Sequence, residues 1–99
     1  MDVDLGPAYE GPPGHLHGGY CAFLLDHIMG GLASQGTIQR IAATGTISLR
    51  YLRPTRLGPL RVAAEVQREE GRKIFIAGHI ADAEGETVTA EGLFIVLRQ

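Results

Sequence analysis

Apolar and small side chains fill residues 19–34 almost without interruption, apart from Asp26 and His27. Because the apolar positions lie on all sides of a 3.6-residue period, the pattern is typical of a helix that other elements enclose. Glycines at positions 30, 31 and 36 indicate where such a helix ends. We therefore expect an interior helix over residues 19–34.

From Thr37 onward the pattern changes to an alternation of apolar and polar residues, which has the period of a β-strand. A hairpin signal at Glu69, Glu70 and Gly71 separates two of these segments. The predicted strands cover residues 44–53, 60–68, 73–82 and 87–97, after a short extended segment at residues 1–10. One long helix followed by four antiparallel strands predicts a single α+β domain over residues 1–99, with the sheet wrapped around the helix.

Length and charge narrow the possible functions. A chain of 99 residues buries only a small core, so a partner surface would help it. The net charge of -2 argues against a nucleic-acid footprint, which requires a basic stripe. The single Cys21 excludes an internal disulfide and fits a reducing compartment. The apolar run is too short to span a membrane, and no signal-peptide pattern precedes it. We therefore expect a soluble, cytoplasmic protein.

Asp26 is the residue that most needs an explanation, because an ionised carboxylate is costly to remove from water without partners. The helix that carries it opens with His17, Gly18 and Gly19. Free N–H groups at a helix N-terminus can hold developing negative charge, and glycine lets a substrate approach the backbone closely. The segment therefore combines a carboxylate with a candidate anion site.

The string from Gly14 to Gly19, with Asp26 nine residues after His17, resembles the hotdog-fold acyl-CoA thioesterases. Within these enzymes the string looks like the PaaI-type of the 4-hydroxybenzoyl-CoA thioesterase-like superfamily, and weaker matches lie at residues 51–58 and 70–73. The resemblance covers nearly the whole chain from about Tyr9. It implies a five-stranded antiparallel sheet around one central helix, and a homodimer that pairs again into a tetramer.

The resemblance also implies a reaction: hydrolysis of an acyl-CoA to a free acid and coenzyme A, without a cofactor or metal. In this family the amide at the Gly18 position polarises the carbonyl, with Gly19 and His17 in support. The carboxylate at the Asp26 position, from the other subunit, is the nucleophile or the general base. Asp26 and Gly18 are about 12 Å apart along the axis of their own helix. Two antiparallel helices related by a two-fold axis would bring Asp26 of one chain close to Gly18 of the other.

Three further residues are candidates for substrate binding. Arg53 and Arg72 could bind the phosphates of coenzyme A, since the guanidinium group suits bidentate phosphate contacts; the alternative is a solvated charge at a strand end. Gly11 occupies a position where many relatives carry Asn or Gln, whose side chain positions water or substrate. The chain departs from the family pattern there.

Other interpretations stay open. The chain could be a non-catalytic acyl-CoA-binding module, or a dehydratase acting on acyl thioesters. Asp26 could pair with a basic group across an interface, and His17 could cap the helix only. Cys21 could be a nucleophile, although a cysteine with apolar neighbours is more often a packing residue. The four histidines do not form a recognisable metal site, because no third ligand lies at a suitable spacing; they are His15, His17, His27 and His79.

Overall fold

The structure, a computed structural model, describes residues 1–35 and 40–98. Gly36, at the predicted helix end, and Thr37, where the β pattern begins, lie outside the described residues. The elements in chain order are β1 (Asp2–Leu5), a 3-10 helix (Pro7–Tyr9), α1 (Gly18–Ala33), β2 (Ile41–Tyr51), β3 (Gly58–Glu70), β4 (Lys73–Asp82) and β5 (Gly85–Arg98).

Within the described residues the strands form a five-stranded sheet in the order β1-β3-β4-β5-β2, and all neighbours are antiparallel. The helix lies on one face of this sheet, which confirms the predicted α+β hotdog fold. The four predicted strands are present, but β2 begins three residues earlier and ends two residues earlier than the predicted 44–53, and β3 and β5 extend further toward the turns. Backbone pairing continues to the ends of a hairpin, as at Glu70↔Lys73 around Gly71, whose φ is +61°.

One face of α1 packs against the sheet, and its buried residues follow a spacing of four: Cys21, Leu25, Met29 and Ala33. Glycines in the two central strands under the helix permit this close packing. A Cβ on Gly78 would lie 3.0 Å from Sδ of Met29, and a Cβ on Gly92 would lie 2.9 Å from its Cε. The small residues of the sheet therefore set the depth at which the helix lies.

The opposite face of α1 is uncovered, and the Phe23 side chain is 64% exposed. The expectation that other elements enclose the helix is therefore wrong for the single chain, because one sheet can cover only one face. In the described part of the chain β2 pairs with β5 alone, so one edge of β2 is free. No helix within residues 1–35 and 40–98 is long and apolar enough to cross a membrane.

Candidate active site

His17 caps the N-terminus of α1. Its backbone is extended, with φ −64° and ψ 134°, and its ring Nδ1 accepts the N–H of Gly19 at 2.9 Å. This geometry places the proton of a neutral ring on Nε2. This contact is the helix capping considered above as the alternative for His17, and a supporting role of His17 in catalysis stays a prediction.

Three of the first four helical amides are occupied. The N–H groups of Tyr20 and Cys21 donate to the carbonyl of His17, at 3.0 and 3.4 Å, and that of Gly19 donates to the His17 ring. The N–H of Gly18 makes no hydrogen bond with any residue in the described ranges, 1–35 and 40–98. Of these four amides, the N–H of Gly18 is therefore the one that can bind an anion, whereas the N–H of Gly19 is already bonded to the His17 ring. The positive end of the helix dipole strengthens the attraction of the Gly18 N–H for negative charge.

Asp26 lies half-buried on α1, and its Oδ1 accepts a hydrogen bond from Oγ1 of Thr44 at 2.7 Å. Thr44 belongs to β2, eighteen residues further along the chain. Because the donor holds one carboxylate oxygen, the contact orients the group, and Oδ2 has no hydrogen-bond partner among residues 1–35 and 40–98. Sequence reasoning missed Thr44.

A β-bulge at Gly45 explains why Thr44 faces the helix. Thr44 pairs with Phe94, whereas Thr46 pairs with Leu93, so Gly45 is an additional residue in the strand. Without the bulge, a period of two would place Thr44 on the same outer face as Thr46. An isolated glycine within a strand pattern is a known signal of a bulge, and this signal could have identified Thr44.

Asp26 and Gly18 belong to the same uninterrupted helix, Gly18–Ala33. At 1.5 Å per residue they are about 12 Å apart along its axis. The fold of one chain therefore does not bring the carboxylate and the open amide to one carbonyl group.

Arg53 is engaged within the chain. Its guanidinium donates to both carboxylate oxygens of Asp82, at 2.9 and 2.7 Å, and to the carbonyl of Gly85 at 3.1 Å. The hydrogen bonds from Arg53 hold the pKa of Asp82 well below its ordinary value, with help from the N–H groups of Arg56 and Glu84. Arg53 thus ties the loop after β2 to the β4–β5 turn.

Arg72 lies exposed in the β3–β4 turn, at the other end of the sheet from Arg53. Near Arg53, Tyr51 pairs with Val88 of β5. Next to Arg72, Lys73 pairs with Ile95 of the same strand. Seven residues of β5 separate these two positions, which corresponds to about 23 Å. The structure therefore does not bring Arg53 and Arg72 together in one chain, and their contact with phosphate stays a prediction.

Gly11 has a packing role. A Cβ at this position would lie 2.8 Å from Cα of His17, and the Gly11 N–H donates to the carbonyl of His15 at 2.9 Å. There is no room for the Asn or Gln side chain that the family pattern would place here. Substrate contact at Gly11 would have to use its backbone, and it stays a prediction.

Cys21 is a buried packing residue. It is 1% exposed, and burial raises the pKa of its thiol, so the nucleophilic thiolate is disfavoured. Its Sγ lies 3.9 Å from Oγ1 of Thr55, which donates in turn to Thr87. Within the described residues, no group of three or more His, Cys, Asp or Glu side chains could hold a metal ion.

Of the grooves on the described surface, one of about 550 Å³ opens beside the helix start and includes His17 and Gly19 together with Tyr20 and Phe23. Two others, of about 770 Å³ on the outer face of the sheet and about 630 Å³ beside β1, are lined by none of the predicted site residues. The first groove is therefore the one that adjoins the candidate anion site.

The family model of the thioesterase superfamily matches residues 13–89. The chain belongs to the thioesterase superfamily. Among curated members, acyl-coenzyme A thioesterase THEM4 of Bos taurus is 30% identical over 95 residues, which covers 93% of this chain and 38% of the relative. The Mus musculus protein of the same name is 34% identical over 92 residues, which covers 89% of this chain and 38% of that protein. This thioesterase-superfamily chain thus spans well under half the length of these curated relatives.

Solved structures show the same fold. The crystal structure of a thioesterase superfamily protein with 44% identity has a TM-score of 0.84 and covers 95% of this chain and 46% of that one. A Bacillus halodurans protein, solved with CoA, has 26% identity and a TM-score of 0.87, and the match covers 97% of this chain and 65% of that one. These similarities confirm that the chain has the hotdog fold of the thioesterase superfamily.

Proposed function

We propose that this chain hydrolyses an acyl-CoA thioester to a free carboxylic acid and coenzyme A. The open N–H of Gly18 at the start of α1 is the observation that carries the proposal. A thioester carbonyl gains negative charge on oxygen during attack, and a free amide at a helix N-terminus stabilises that charge. Membership of the thioesterase superfamily and similarity to acyl-CoA thioesterases support this reaction.

The carboxylate in this proposal comes from a second copy of the chain. Three features support a two-fold dimer: the free edge of β2, the uncovered face of α1, and the separation of Asp26 from Gly18 along the helix. An unpaired strand edge favours pairing with another strand, and antiparallel pairing of two β2 edges would extend the sheet. With the two helices antiparallel, Asp26 of each chain would approach Gly18 of the other.

The chemistry follows from these two groups. In one route Asp26 takes a proton from water, the hydroxide oxygen bonds to the carbonyl carbon, and the carbon–sulfur bond breaks. The departing thiolate of coenzyme A then takes up a proton. In the other route Asp26 attacks the carbonyl itself, the carbon–sulfur bond breaks to release the thiolate, and water hydrolyses the resulting anhydride to the free acid and Asp26. The hydrogen bond from Thr44 orients the carboxylate in both routes.

The sheet register suggests where the nucleotide of CoA would lie. α1 begins at the Arg53 end of the sheet, where Gly18 contacts Tyr51, and therefore runs toward the end that carries Arg72. The chain that supplies Asp26 to a site would thus also bring Arg72 toward that site. Arg53 lies at the Gly18 end, on the chain that supplies the amide. We therefore assign Arg72 as the phosphate ligand of the nucleotide, since the guanidinium of Arg53 is already bound to Asp82.

A thiol-release assay with aromatic, short-chain and long-chain acyl-CoAs tests the proposal. The wild-type chain should release CoA thiol, and Asp26→Asn should lower turnover by about a hundredfold or more because it removes the nucleophile or base. Glu65→Gln, a change of an exposed carboxylate on the outer face of the sheet, is the matched control and should leave the rate unchanged.

The alternatives give different results in the same assay. Tight binding of acyl-CoA by the wild-type chain, without thiol release above background, would indicate a binding module. Loss of enoyl absorbance without thiol release would indicate a dehydratase. Turnover of Asp26→Asn equal to that of Glu65→Gln would contradict the proposed role of the carboxylate.

A further inference from the structure

Tyr51, the last residue of β2, reaches the start of α1. Its hydroxyl donates a hydrogen bond of 2.8 Å to the carbonyl of Gly18, 33 residues earlier in the chain. The ring also lies against the same glycine, because a Cβ on Gly18 would be 3.6 Å from Cε1 and from the hydroxyl oxygen of Tyr51. The edge strand and the first residue of the helix are therefore in direct contact.

The peptide group between Gly18 and Gly19 is held at both ends. The carbonyl of Gly18 accepts from Tyr51, and the N–H of Gly19 donates to Nδ1 of His17 at 2.9 Å. Two consecutive glycines at a helix start have more backbone freedom than any other pair of residues. External contacts at both ends of this peptide restrict that freedom where the sequence itself does not.

We propose that Tyr51 is a positioning residue, which fixes the direction of the Gly18 N–H by holding the carbonyl of the same residue. The inference rests on the proposed function, in which that N–H binds the substrate carbonyl. Fixing the peptide after Gly18 limits rotation about the two backbone dihedrals of this glycine. Its N–H then keeps one orientation before substrate binds, as electrostatic preorganisation requires.

The state of the hydroxyl agrees with this role. Partial burial of Tyr51 raises the pKa of its hydroxyl above the ordinary value near 10. The group therefore stays protonated, and able to donate, throughout the neutral pH range. Since about half of the side chain is exposed, its hydroxyl can be removed without opening a cavity in the core.

Kinetics of Tyr51→Phe provide the first test, with Tyr9→Phe as the matched control. Tyr9 is also an exposed tyrosine near the helix start, but its hydroxyl makes no hydrogen bond with any residue in the described part of the chain. We expect kcat of Tyr51→Phe to fall about tenfold with KM within about twofold of wild type, less than the loss of a whole oxyanion donor. Tyr9→Phe should leave both constants unchanged.

Amide hydrogen exchange, measured by NMR, provides a second test that does not depend on activity. Exchange of the Gly19 N–H should become about fivefold faster in Tyr51→Phe, because one of the contacts that hold its peptide, beside the bonds within the helix, is lost. It should be unchanged in Tyr9→Phe. Unchanged exchange in both variants would overturn the positioning role.

The two tests separate the proposals. A rise in KM without a fall in kcat and without faster exchange would show that Tyr51 contacts substrate, and would overturn positioning. A wild-type chain that releases no thiol would overturn the proposed function, and the exchange measurement alone would then decide whether Tyr51 holds the helix start.

Discussion

Thr44 donates a hydrogen bond of 2.7 Å to Oδ1 of Asp26, and the bulge at Gly45 turns Thr44 toward the helix. The carboxylate within the apolar helix therefore has a partner from its own chain. This partner orients Asp26 without neutralising it, since a hydroxyl carries no charge. A carboxylate held in this way is suited to act on a substrate that a second chain presents.

The Thr44 contact predicts that orientation of Asp26 contributes to turnover. Thr44→Val keeps the shape of the side chain but removes the donor, and it should lower kcat by about ten- to a hundredfold. Thr44→Ser keeps the hydroxyl and should retain most of the wild-type kcat. Steady-state thiol release measures both. Equal kcat for the Val and Ser variants would contradict the role of the hydrogen bond.

Gly18 permits a substitution that removes its amide proton with little other change. Proline is well tolerated as the first residue of a helix, and the extended backbone of His17, with φ −64° and ψ 134°, suits a residue before proline. Gly18→Pro should therefore fold and should lower kcat by about a hundredfold or more, as expected for loss of an oxyanion donor.

Gly18→Ala is the control, because it keeps the N–H and its Cβ would meet only ordinary contacts with Tyr51 at 3.6 Å. Circular dichroism and thiol release on both variants check the prediction. If a folded Gly18→Pro protein turned over substrate as fast as Gly18→Ala, the Gly18 N–H could not be the donor.

Gly11→Ala should destabilise the fold by about 1–3 kcal/mol, because the new Cβ would lie 2.8 Å from the backbone Cα of His17. Gly6→Ala is the matched control, since a Cβ there meets nothing within 4 Å and the φ of Gly6 is −89°. Denaturant unfolding of the two variants provides the free energies. Equal stabilities would show that residues 11 and 17 do not pack as described.

We expect the contribution of Asp82 to the free energy of unfolding to depend on pH. Hydrogen bonds from Arg53 lower the pKa of Asp82 in the folded chain, so its contribution is complete above the unfolded pKa of about 4 and is lost as the pH falls below it. Asp82→Asn should cost about 1–3 kcal/mol at pH 7, and the difference from wild type should shrink below pH about 4. Asp4→Asn, which changes an exposed aspartate, is the control variant.

Urea unfolding at a series of pH values between about 3 and 7 measures this dependence. A difference between wild type and Asp82→Asn that stayed constant across the series would exclude the ionised Asp82 as its source.

The elements were predicted well from the sequence because their signals are local, and the signals that point to the two proposed reacting groups are local too. Period-two alternation marks the strands, and a charge within an apolar run beside paired glycines marks Asp26 and Gly18. Thr44 and Tyr51 were not predicted because their roles depend on tertiary contacts, and for Thr44 also on a bulge that reverses the faces of β2. The ion pair of Arg53 with Asp82 was not predicted, because the two residues lie 29 positions apart in the sequence.

Complementation between two inactive variants tests most directly whether the site is shared by two chains. Asp26→Asn and Gly18→Pro chains, co-expressed with different tags and purified through both, provide heterodimers in which one of two sites is intact. We expect such heterodimers to show about half the wild-type turnover per dimer, whereas each homodimer stays at background. Isolated heterodimers with turnover no higher than the parent variants would contradict the shared site.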